Sequence, residues 1–247
     1  MSADDLTLLD PKDSTTPFPH PKQALNDPEG LLAAGGNLSP TRILQAYQQG
    51  IFPWYSDGQP ILWWSPNPRG VLWPREFIAH NSLKRIINKG WRVSYDQAFE
   101  SVIRACAEPR GNDQGTWITE DMIQAYCELH ALGPAHSIEV WDEKQLIGGV
   151  YGIALGKLFA GESMFSRQSG GSKIALLYLS AYLDNWDYAL IDTQLPSEHL
   201  VSLGGRTMSR EAYLDLLQTA THESVAAQAW QPGQAIDINH WLKTRLL

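Results

Sequence analysis

The chain has 247 residues, of which 43% are hydrophobic and 19% charged, and its formal net charge is −8 at pH 7. This composition is that of a globular protein with enough core for one large domain or two modest ones, and no apolar run approaches the roughly 18 residues of a membrane span. The acidic start MSADDLTLLDPKD is unlike a signal peptide, so we expect a cytoplasmic protein.

Two further global features limit the classes of function. A net negative charge, taken alone, argues against a nucleic-acid partner. The two cysteines, Cys106 and Cys127, lie in helical patterns with apolar neighbours. We therefore expect them to be reduced core residues, and not a disulfide or a catalytic nucleophile.

A small N-terminal domain is predicted for residues 1–67. Ser39-Pro40 is a strong helix start, with serine as the N-cap and proline at the first helical position, and Gly50 ends that helix. The aromatic turn FPWYSDG, which contains Trp54, follows at once. ILWWS and GVLW then predict two strands around the turn Pro66–Pro68.

The segment Phe77–Tyr95 is the basic part of this acidic chain. It carries Lys84, Arg85, Lys89 and Arg92 and no acidic residue, and its apolar residues share one helical face. Composition alone favours an ordinary solvated surface for these charges.

A larger second domain is predicted for residues 68–247. Asp96 is expected to cap a helix that carries Phe99 and Cys106, and Thr119 to cap the next helix, after a loop over Pro109–Gly115. Ser209 is expected to cap a later helix that runs to about Ala220. The tail beyond it has little pattern.

The most informative stretch runs from His136 to Gln194. HSIEVW and LIGGVYGIAL predict two strands of a hairpin, GKLFAGESMFSR an apolar loop, and Lys173–Leu183 a helix. ALIDTQ predicts a buried strand that ends in polar residues. Since open sheets bind ligands beyond the ends of their strands, Asp192 and Gln194 stand where chemistry is usually done.

The order of these elements indicates an α+β fold built on a mixed sheet. It is similar to the acyltransferase architecture of GNAT enzymes. Arg167-x-x-Gly170-x-Ser172 also resembles the pyrophosphate loop of acetyl-CoA-dependent transferases, although a plain turn or a role near the backbone of a nucleic acid would explain it as well.

No metal site is indicated, because the seven histidines are scattered and none clusters with Cys, Asp or Glu. No Walker loop or G-x-S-x-G elbow is present. We therefore expect no cofactor, and a reaction whose substrate arrives already activated.

Several blocks resemble the leucyl/phenylalanyl-tRNA–protein transferase family, in order over roughly residues 18–205. They are GLLAAGGNLSP, AYQQGIFPWY, ILWWSPNPRGVLWP, GTWIT, HSIEVW, GGVYG, GESMFS and DTQ. The resemblance implies a GNAT-like fold for the second domain. It also implies transfer of Leu or Phe, and Met less well, from tRNA to the N-terminal amine of proteins that begin with Arg or Lys. In the family this marks the acceptor for degradation in bacteria.

The resemblance assigns the peptide-bond step to Asp192 and Gln194. The amide oxygen of Gln194 would accept the amine N–H, and Asp192 would stabilise the positive charge that develops on nitrogen. One residue separates the two, so on a regular strand they share a face. Composition alone favours a solvated surface for the basic segment. The resemblance instead implies a contact with tRNA at Lys84, Arg85, Lys89 and Arg92.

The resemblance also implies a substrate pocket. Trp54 and Trp117 match tryptophans that frame the terminal adenosine in the family. Part of an apolar stripe would line an aminoacyl pocket, although pattern alone favours plain core for it; the stripe consists of Met164, Leu176, Leu179, Leu183 and Ile191. Glu162 is an acid in an apolar stretch, so it is expected to meet a cation from the protein, the substrate or the acceptor.

Two other functions remain open at this point. One is an acetyl-CoA-dependent N-acetyltransferase, which would bind acetyl-CoA. The other is a non-catalytic binding module for peptides or sugars, suggested by the ten tryptophans. In that module Asp192 and Gln194 would be dispensable and tRNA would not bind.

Overall fold

The computed structural model describes residues 6–87, 89–109, 116–231 and 234–244. Apart from Pro109, the predicted loop Pro109–Gly115 lies outside these ranges. The architecture is α+β, as predicted, with a small N-terminal sheet followed by a larger mixed sheet. None of the described helices is long and apolar enough to cross a lipid bilayer.

The small sheet is built from four short strands in the order β1–β2–β4–β3. They are β1 (Thr7–Leu9), β2 (Leu31–Gly35), β3 (Phe52–Pro53) and β4 (Leu62–Trp64). Helix α1 (Pro40–Gln48) connects β2 to β3. A buried cluster that includes Ala46, Ile51 and Trp63 holds this unit together, because it removes a large indole and two neighbouring aliphatic side chains from water.

The large sheet has seven strands in the order β11–β5–β10–β9–β8–β7–β6. Only β9 and β10 run parallel, and the other neighbours are antiparallel. The strands are β5 (Arg69–Leu72), β6 (Arg92–Tyr95), β7 (Ala135–Asp142), β8 (Gln145–Leu155), β9 (Leu158–Ser166), β10 (Leu190–Gln194) and β11 (Arg206–Met208).

Helices cover both faces of the large sheet. They are α2 (Asn81–Ile87), α3 (Phe99–Ala107), α4 (Glu120–Leu132), α5 (Gly171–Asn185), α6 (Glu198–Ser202), α7 (Arg210–His222) and α8 (Ile238–Thr244). Residues of α3, α4 and α7 belong to one buried cluster and residues of α5 and α8 to another. The sheet therefore lies between two apolar layers.

Three of the predicted helix starts are confirmed by their cap hydrogen bonds. The hydroxyl groups of Ser39, Thr119 and Ser209 accept from the backbone N–H three residues on. The cap predicted at Asp96 is wrong. Helix α3 begins after Ala98, and Asp96 accepts hydrogen bonds from the backbone N–H of Ser137 and pairs with His136 instead.

The predicted apolar loop over Gly156–Arg167 is also wrong, because most of it is strand β9. The predicted helix at Lys173–Leu183 is confirmed and is longer at both ends. Its start lies against β8 at Gly148, where an added Cβ atom would stand 2.6 Å from the Gly171 Cα atom. Only glycine permits so close an approach of helix to strand.

The boundary between the two predicted domains stays a prediction. The four-stranded sheet draws on residues up to Trp64, and the seven-stranded sheet begins with Arg69. Cys106 is buried and Cys127 partly buried, and neither takes part in a disulfide within the described residues.

Candidate active site

The site lies where the parallel strands β9 and β10 stop pairing with each other. Their ladder covers three residues of each strand and ends at Asp192 opposite Ala160. Just beyond, Glu162 is an extra residue in β9, because the register with β8 shifts between Tyr151 and Gly152. Such a bulge turns the side chain of the extra residue out of the regular alternation and is frequent beside active sites.

Strand β10 is irregular at the same level. Its register with β5 shifts between Asp192 and Gln194, and Gln194 has a φ angle of 62°, which is uncommon for a residue other than glycine. The expectation that Asp192 and Gln194 share a face is therefore wrong, since it assumed a regular strand. The Asp192 side chain contacts Arg69, whereas that of Gln194 contacts Glu162.

Asp192 is fully buried in an ion pair with Arg69, which is also fully buried. The guanidinium donates from Nε to Oδ1 at 2.8 Å and from Nη2 to Oδ2 at 2.6 Å. Tyr213 donates its hydroxyl to Oδ2 at 2.7 Å, and the backbone N–H of Gln194 donates to Oδ1 at 2.9 Å. Burial acts to lower the pKa of Arg69, but the charge of Asp192 raises it above its ordinary value.

This network joins the end of β10 to other parts of the chain. Arg69 also donates from Nη1 to the carbonyl oxygen of Gly50 at 2.9 Å, so it ties the end of β10 to the segment after α1. Both carboxylate oxygens of Asp192 are occupied, and its side chain lines neither of the cavities described below. The side chain of Asp192 thus contacts Arg69, Tyr213 and the backbone N–H of Gln194.

Glu162 is the acidic side chain that faces the open part of the site. Tyr47 donates its hydroxyl to Oε1 at 2.6 Å, Tyr126 donates to Oε2 at 2.9 Å, and Gln194 donates from Nε2 to Oε1 at 2.8 Å. Burial raises the pKa of Glu162 to about 7, against the opposing effect of the two tyrosine hydroxyls. The carboxyl group therefore titrates near neutrality.

The expected cation beside Glu162 is not supplied by the part of the chain that the structure describes. Its hydrogen-bond partners there are the two tyrosines and Gln194, all of them neutral.

An inner cavity of about 100 Å³ opens between β9, β10, α5 and α6, with Glu162 and Thr193 at its polar end. Apart from these two residues and from Ser163 and Gly161, its wall is apolar, as an aliphatic or aromatic ligand requires. The apolar lining consists of Val150, Met164, Leu176, Leu179, Ile191 and Leu200. Four of the five residues predicted for this pocket line it. Leu183 does not, because it lies fully buried in the core behind it.

An outer cavity of about 220 Å³ adjoins the inner one, and both share Glu162 and Thr193. Trp54 and Trp117 line it together with Gln194. Trp54 is 40% exposed, which is unusual for so large an apolar side chain and leaves its ring available for stacking. The structure thus brings both predicted tryptophans to the predicted polar residues.

The four predicted basic residues form an exposed surface on α2 and the segment after it. This basic surface consists of Lys84, Arg85, Lys89 and Arg92. Near the start of α2, His80 contacts the carbonyl oxygen of Ser202 on α6 at 2.7 Å. Helix α6 also supplies Leu200 to the inner cavity.

The segment Arg167–Ser172 forms a turn that leads into α5. Arg167 donates to the carbonyl oxygen of Leu146 at 3.1 Å and pairs with Glu108, so its guanidinium serves contacts within the protein. Gly170 has a φ of 95°, which accounts for a glycine at the turn. Within the described ranges no group of three or more His, Cys, Asp or Glu is arranged to hold a metal ion.

Several residues of the site escaped the sequence analysis. Tyr47 and Tyr126 stand on the apolar faces of α1 and α4, a position typical of core residues. Arg69 had a detectable signal, because an arginine within a buried strand needs a partner. Val150 and Leu200 had none, because only the fold places them beside the cavity.

Comparisons with known proteins agree with the resemblance seen in the sequence. A family model described as leucyl/phenylalanyl-tRNA protein transferase matches residues 71–218, and the model of that family's N-terminal domain matches residues 36–67. The matched relatives are named leucyl/phenylalanyl-tRNA–protein transferase. One from Pseudomonas fluorescens (strain Pf0-1) is 55% identical over 201 residues, which are 81% of this chain and 89% of that protein.

Two further relatives carry the same name. The protein of Methylococcus capsulatus (strain ATCC 33009 / NCIMB 11132 / Bath) is 48% identical over 231 residues, 92% of this chain and 98% of its own. That of Nitrosomonas europaea (strain ATCC 19718 / CIP 103999 / KCTC 2705 / NBRC 14298) is 53% identical over 201 residues, 81% of this chain and 85% of its own.

Proposed function

The chain belongs to the leucyl/phenylalanyl-tRNA–protein transferase family, and on that premise we propose how its cavities carry out the transfer. The enzyme is an aminoacyltransferase that uses aminoacyl-tRNA. Family membership does not favour the acetyl-CoA-dependent enzyme or the Trp-rich binding module. We further propose that the amino acid is Leu, Phe or, less well, Met. Acceptors begin with Arg or Lys, and the modification marks them for degradation in the cytoplasm.

The inner cavity holds the side chain of the transferred amino acid. Its wall is mostly aliphatic, with Glu162, Ser163 and Thr193 as the polar residues, so it favours an apolar side chain and disfavours a polar one that would lose its hydration. Met164 gives this wall flexibility, which suits side chains as different in shape as those of Leu and Phe.

The outer cavity holds the terminal adenosine, with the base against Trp54 or Trp117. Stacking a base on an aromatic ring contributes roughly 1–3 kcal/mol. The two cavities meet at Glu162, so the ester carbon that joins adenosine and amino acid falls beside Glu162 and Gln194. The basic surface on α2 contacts the phosphate backbone of the same tRNA.

The observation that carries the proposal is the neutral surrounding of the Glu162 carboxylate, at the point shared by both cavities. A carboxyl group there that titrates near neutrality is suited to accept a proton from the incoming amine. Gln194 directs its amide N–H to Glu162, which leaves its amide oxygen to accept an N–H of the same amine.

The atoms of the transfer balance without a cofactor. The acceptor nitrogen attacks the ester carbonyl carbon, a C–N bond forms, and the C–O bond to the terminal ribose breaks. The proton lost by the nitrogen passes to Glu162, and the ribose oxygen takes up a proton as it leaves. The ester is already activated, so alignment of amine and carbonyl supplies much of the rate. Asp192 keeps Gln194 in place through its backbone N–H.

The experiment mixes labelled leucyl-tRNA with a peptide that begins with Arg and measures label in the peptide. The wild-type enzyme should transfer the label, and a peptide with an acetylated N-terminus should receive none. Glu162→Gln and Gln194→Ala should lower the single-turnover rate on the order of 10²-fold while the Kd for leucyl-tRNA changes little, since both groups act on the attacking amine.

Glu128→Gln is the matched control, because Glu128 is an exposed glutamate on α4 that lines neither cavity. It should leave the rate unchanged. A normal rate for folded Glu162→Gln would reject the assignment of Glu162 as proton acceptor.

A further inference from the structure

We infer that Tyr47 and Tyr126 are positioning residues that form, with the Glu162 carboxyl group, one proton-accepting unit. The inference rests on the proposed role of Glu162 as the group that takes the proton of the attacking amine. It goes beyond that role, because it assigns a function to two tyrosines that do not line the substrate cavities.

The unit has three short oxygen–oxygen contacts, and the carboxyl group of Glu162 closes them into a hydrogen-bonded ring. The two phenol oxygens lie 2.7 Å apart, and they contact the two oxygens of Glu162 at 2.6 Å and 2.9 Å. Tyr47 comes from α1 and Tyr126 from α4, and both rings are essentially buried. The carboxyl group is therefore held from two helices on one side and by Gln194 on the other.

The number of hydrogen atoms in the ring depends on the state of Glu162. When Glu162 is ionised, two phenol hydrogens serve three contacts, so one oxygen–oxygen contact has no hydrogen. When Glu162 is protonated, three hydrogens serve three contacts. Three of the four oxygens can then each donate to the next, the second carboxyl oxygen only accepts, and the Gln194 amide still donates to Oε1.

The ring consequently has a place for one additional proton. A proton delivered to either oxygen of Glu162 completes the set of three hydrogen bonds, which are strong in a site shielded from water. The proton leaves again when the ribose oxygen of the departing tRNA takes one up, which returns the ring to two hydrogens. No other acid or base is needed for the cycle.

The surrounding charges keep the two tyrosines as neutral donors. Burial, followed by the charge of Glu162, raises the pKa of Tyr47 and of Tyr126 well above the ordinary value. The other titratable groups facing Glu162 among the described residues are Tyr151 on β8 and Asp192 on β10. The charge of Asp192 acts to raise the pKa of Glu162, while the hydroxyls of Tyr47 and Tyr126 lower it.

The test replaces each tyrosine by phenylalanine, which removes one hydroxyl group and keeps the aromatic side chain. Loss of a donor to the ionised carboxylate should raise the pKa of Glu162, so the acid limb of the pH–rate profile should move to higher pH. The single-turnover rate at neutral pH should fall roughly tenfold to a hundredfold in Tyr47→Phe and in Tyr126→Phe. Either substitution interrupts the hydrogen-bonded ring of Tyr47, Tyr126 and Glu162. The double variant should therefore be little slower than the single variants.

Tyr151→Phe is the matched control. Tyr151 is also fully buried and packs its ring edge-on against Tyr126, but its hydroxyl has no hydrogen-bond partner among the described residues. It should keep the wild-type rate and acid limb. A purely structural role for Tyr47 and Tyr126 would lower stability and leave the acid limb in place, and that result would overturn the inference.

Glu162→Gln separates the two proposals. If Glu162→Gln is slow while both phenylalanine variants keep the wild-type rate and pH profile, the proton-accepting unit is rejected and the role of Glu162 stands. If Glu162→Gln keeps the wild-type rate, the proposed role of Glu162 fails, and the inference fails with it.

Discussion

Asp192 and Arg69 form an ion pair with both side chains fully buried, and the cost of breaking such a pair is asymmetric. Asp192→Ala leaves the guanidinium of Arg69 buried without its counter-charge. We expect a loss of roughly 3–5 kcal/mol in the free energy of unfolding, measured by urea denaturation. Asp192→Asn should behave similarly, because it keeps the shape and removes the charge.

Replacing both partners should separate stability from activity. The double variant Arg69→Met with Asp192→Leu has no buried charge, so most of the lost stability should return. Transfer activity should stay low, because the acceptor for the Gln194 backbone N–H has gone. Recovery of activity together with stability would show that this network has no part in placing Gln194.

The raised pKa of Glu162 predicts how the free energy of unfolding depends on pH. It is about 7 in the folded protein against an ordinary value of 4.5, so between these values the folded state holds a proton that the unfolded state has lost. Stability contributed by this group therefore falls as pH rises through that window. Glu162→Gln cannot titrate, and its free energy of unfolding relative to the wild type should increase from about pH 5 to about pH 8.

Denaturation of both proteins across that window would measure the effect, with Glu128→Gln as the exposed control. A difference between Glu162→Gln and wild type that stays constant with pH would contradict the raised pKa. The size of the difference at one pH is less informative, because the variant also changes the hydrogen bonds from Tyr47 and Tyr126.

At the scale of the element, substitutions in α2 and just after it should change the affinity for tRNA. Changing Lys84, Arg85 and Lys89 to Ala together should weaken tRNA binding. It should also flatten the dependence of log Kd on log salt by roughly 0.7–0.9 for each tRNA phosphate that the protein no longer neutralises. Turnover at saturating tRNA should change little, because these residues line neither cavity.

A charge-matched control is available on other exposed parts of the chain. Lys12, Lys144 and Lys243 are exposed and lie outside α2. Their triple alanine variant carries the same net charge as the α2 variant. Equal salt slopes for the two triple variants would mean that only the overall charge matters and that α2 is not the contact surface.

Local signals explain which elements the sequence predicted. Hydroxyl N-caps at Ser39, Thr119 and Ser209 marked three helices, because the cap bond reaches only three residues along the chain. The short strands β2, β6 and β11 were missed, because strands of three to five residues are defined by partners elsewhere in the chain. Strand β9 was mistaken for a loop, since the bulge at Glu162 breaks its alternation.

The sequence also predicted some features of the candidate site and missed others. Trp54, Trp117, Asp192 and Gln194 were identified through the resemblance to the family, which places residues without any knowledge of their contacts. The resemblance did not reveal that Asp192 faces Arg69, because that depends on the irregular end of β10. Orientation was the part that a sequence pattern could not provide.

At the scale of the whole molecule, the N-terminal part of the chain helps to build the site. It supplies Tyr47 to the carboxyl group, Trp54 to the outer cavity, and the carbonyl oxygen of Gly50 to Arg69. The segment that carries the small sheet therefore contributes to the candidate site, and removing it would take away contacts of both Glu162 and Arg69.

At the same scale, the chemistry of the transfer leads to a prediction about metal ions. Because the aminoacyl ester is already activated and needs no Lewis acid, chelators should not slow the transfer. The measurement adds EDTA to a reaction with an aminoacylated 3′-terminal fragment, which does not depend on magnesium for its folding. A loss of rate that added metal restores would contradict this.

The aliphatic wall of the inner cavity has a consequence for accuracy. Apolar contacts of this kind distinguish two substrates that differ by one methylene group by only about 10–200-fold. Such a wall sorts amino acids into classes and does not select a single one. The composition of the product should therefore follow the relative abundance of the competing charged tRNAs, so the modification carries information about the supply of amino acids as well as about the acceptor.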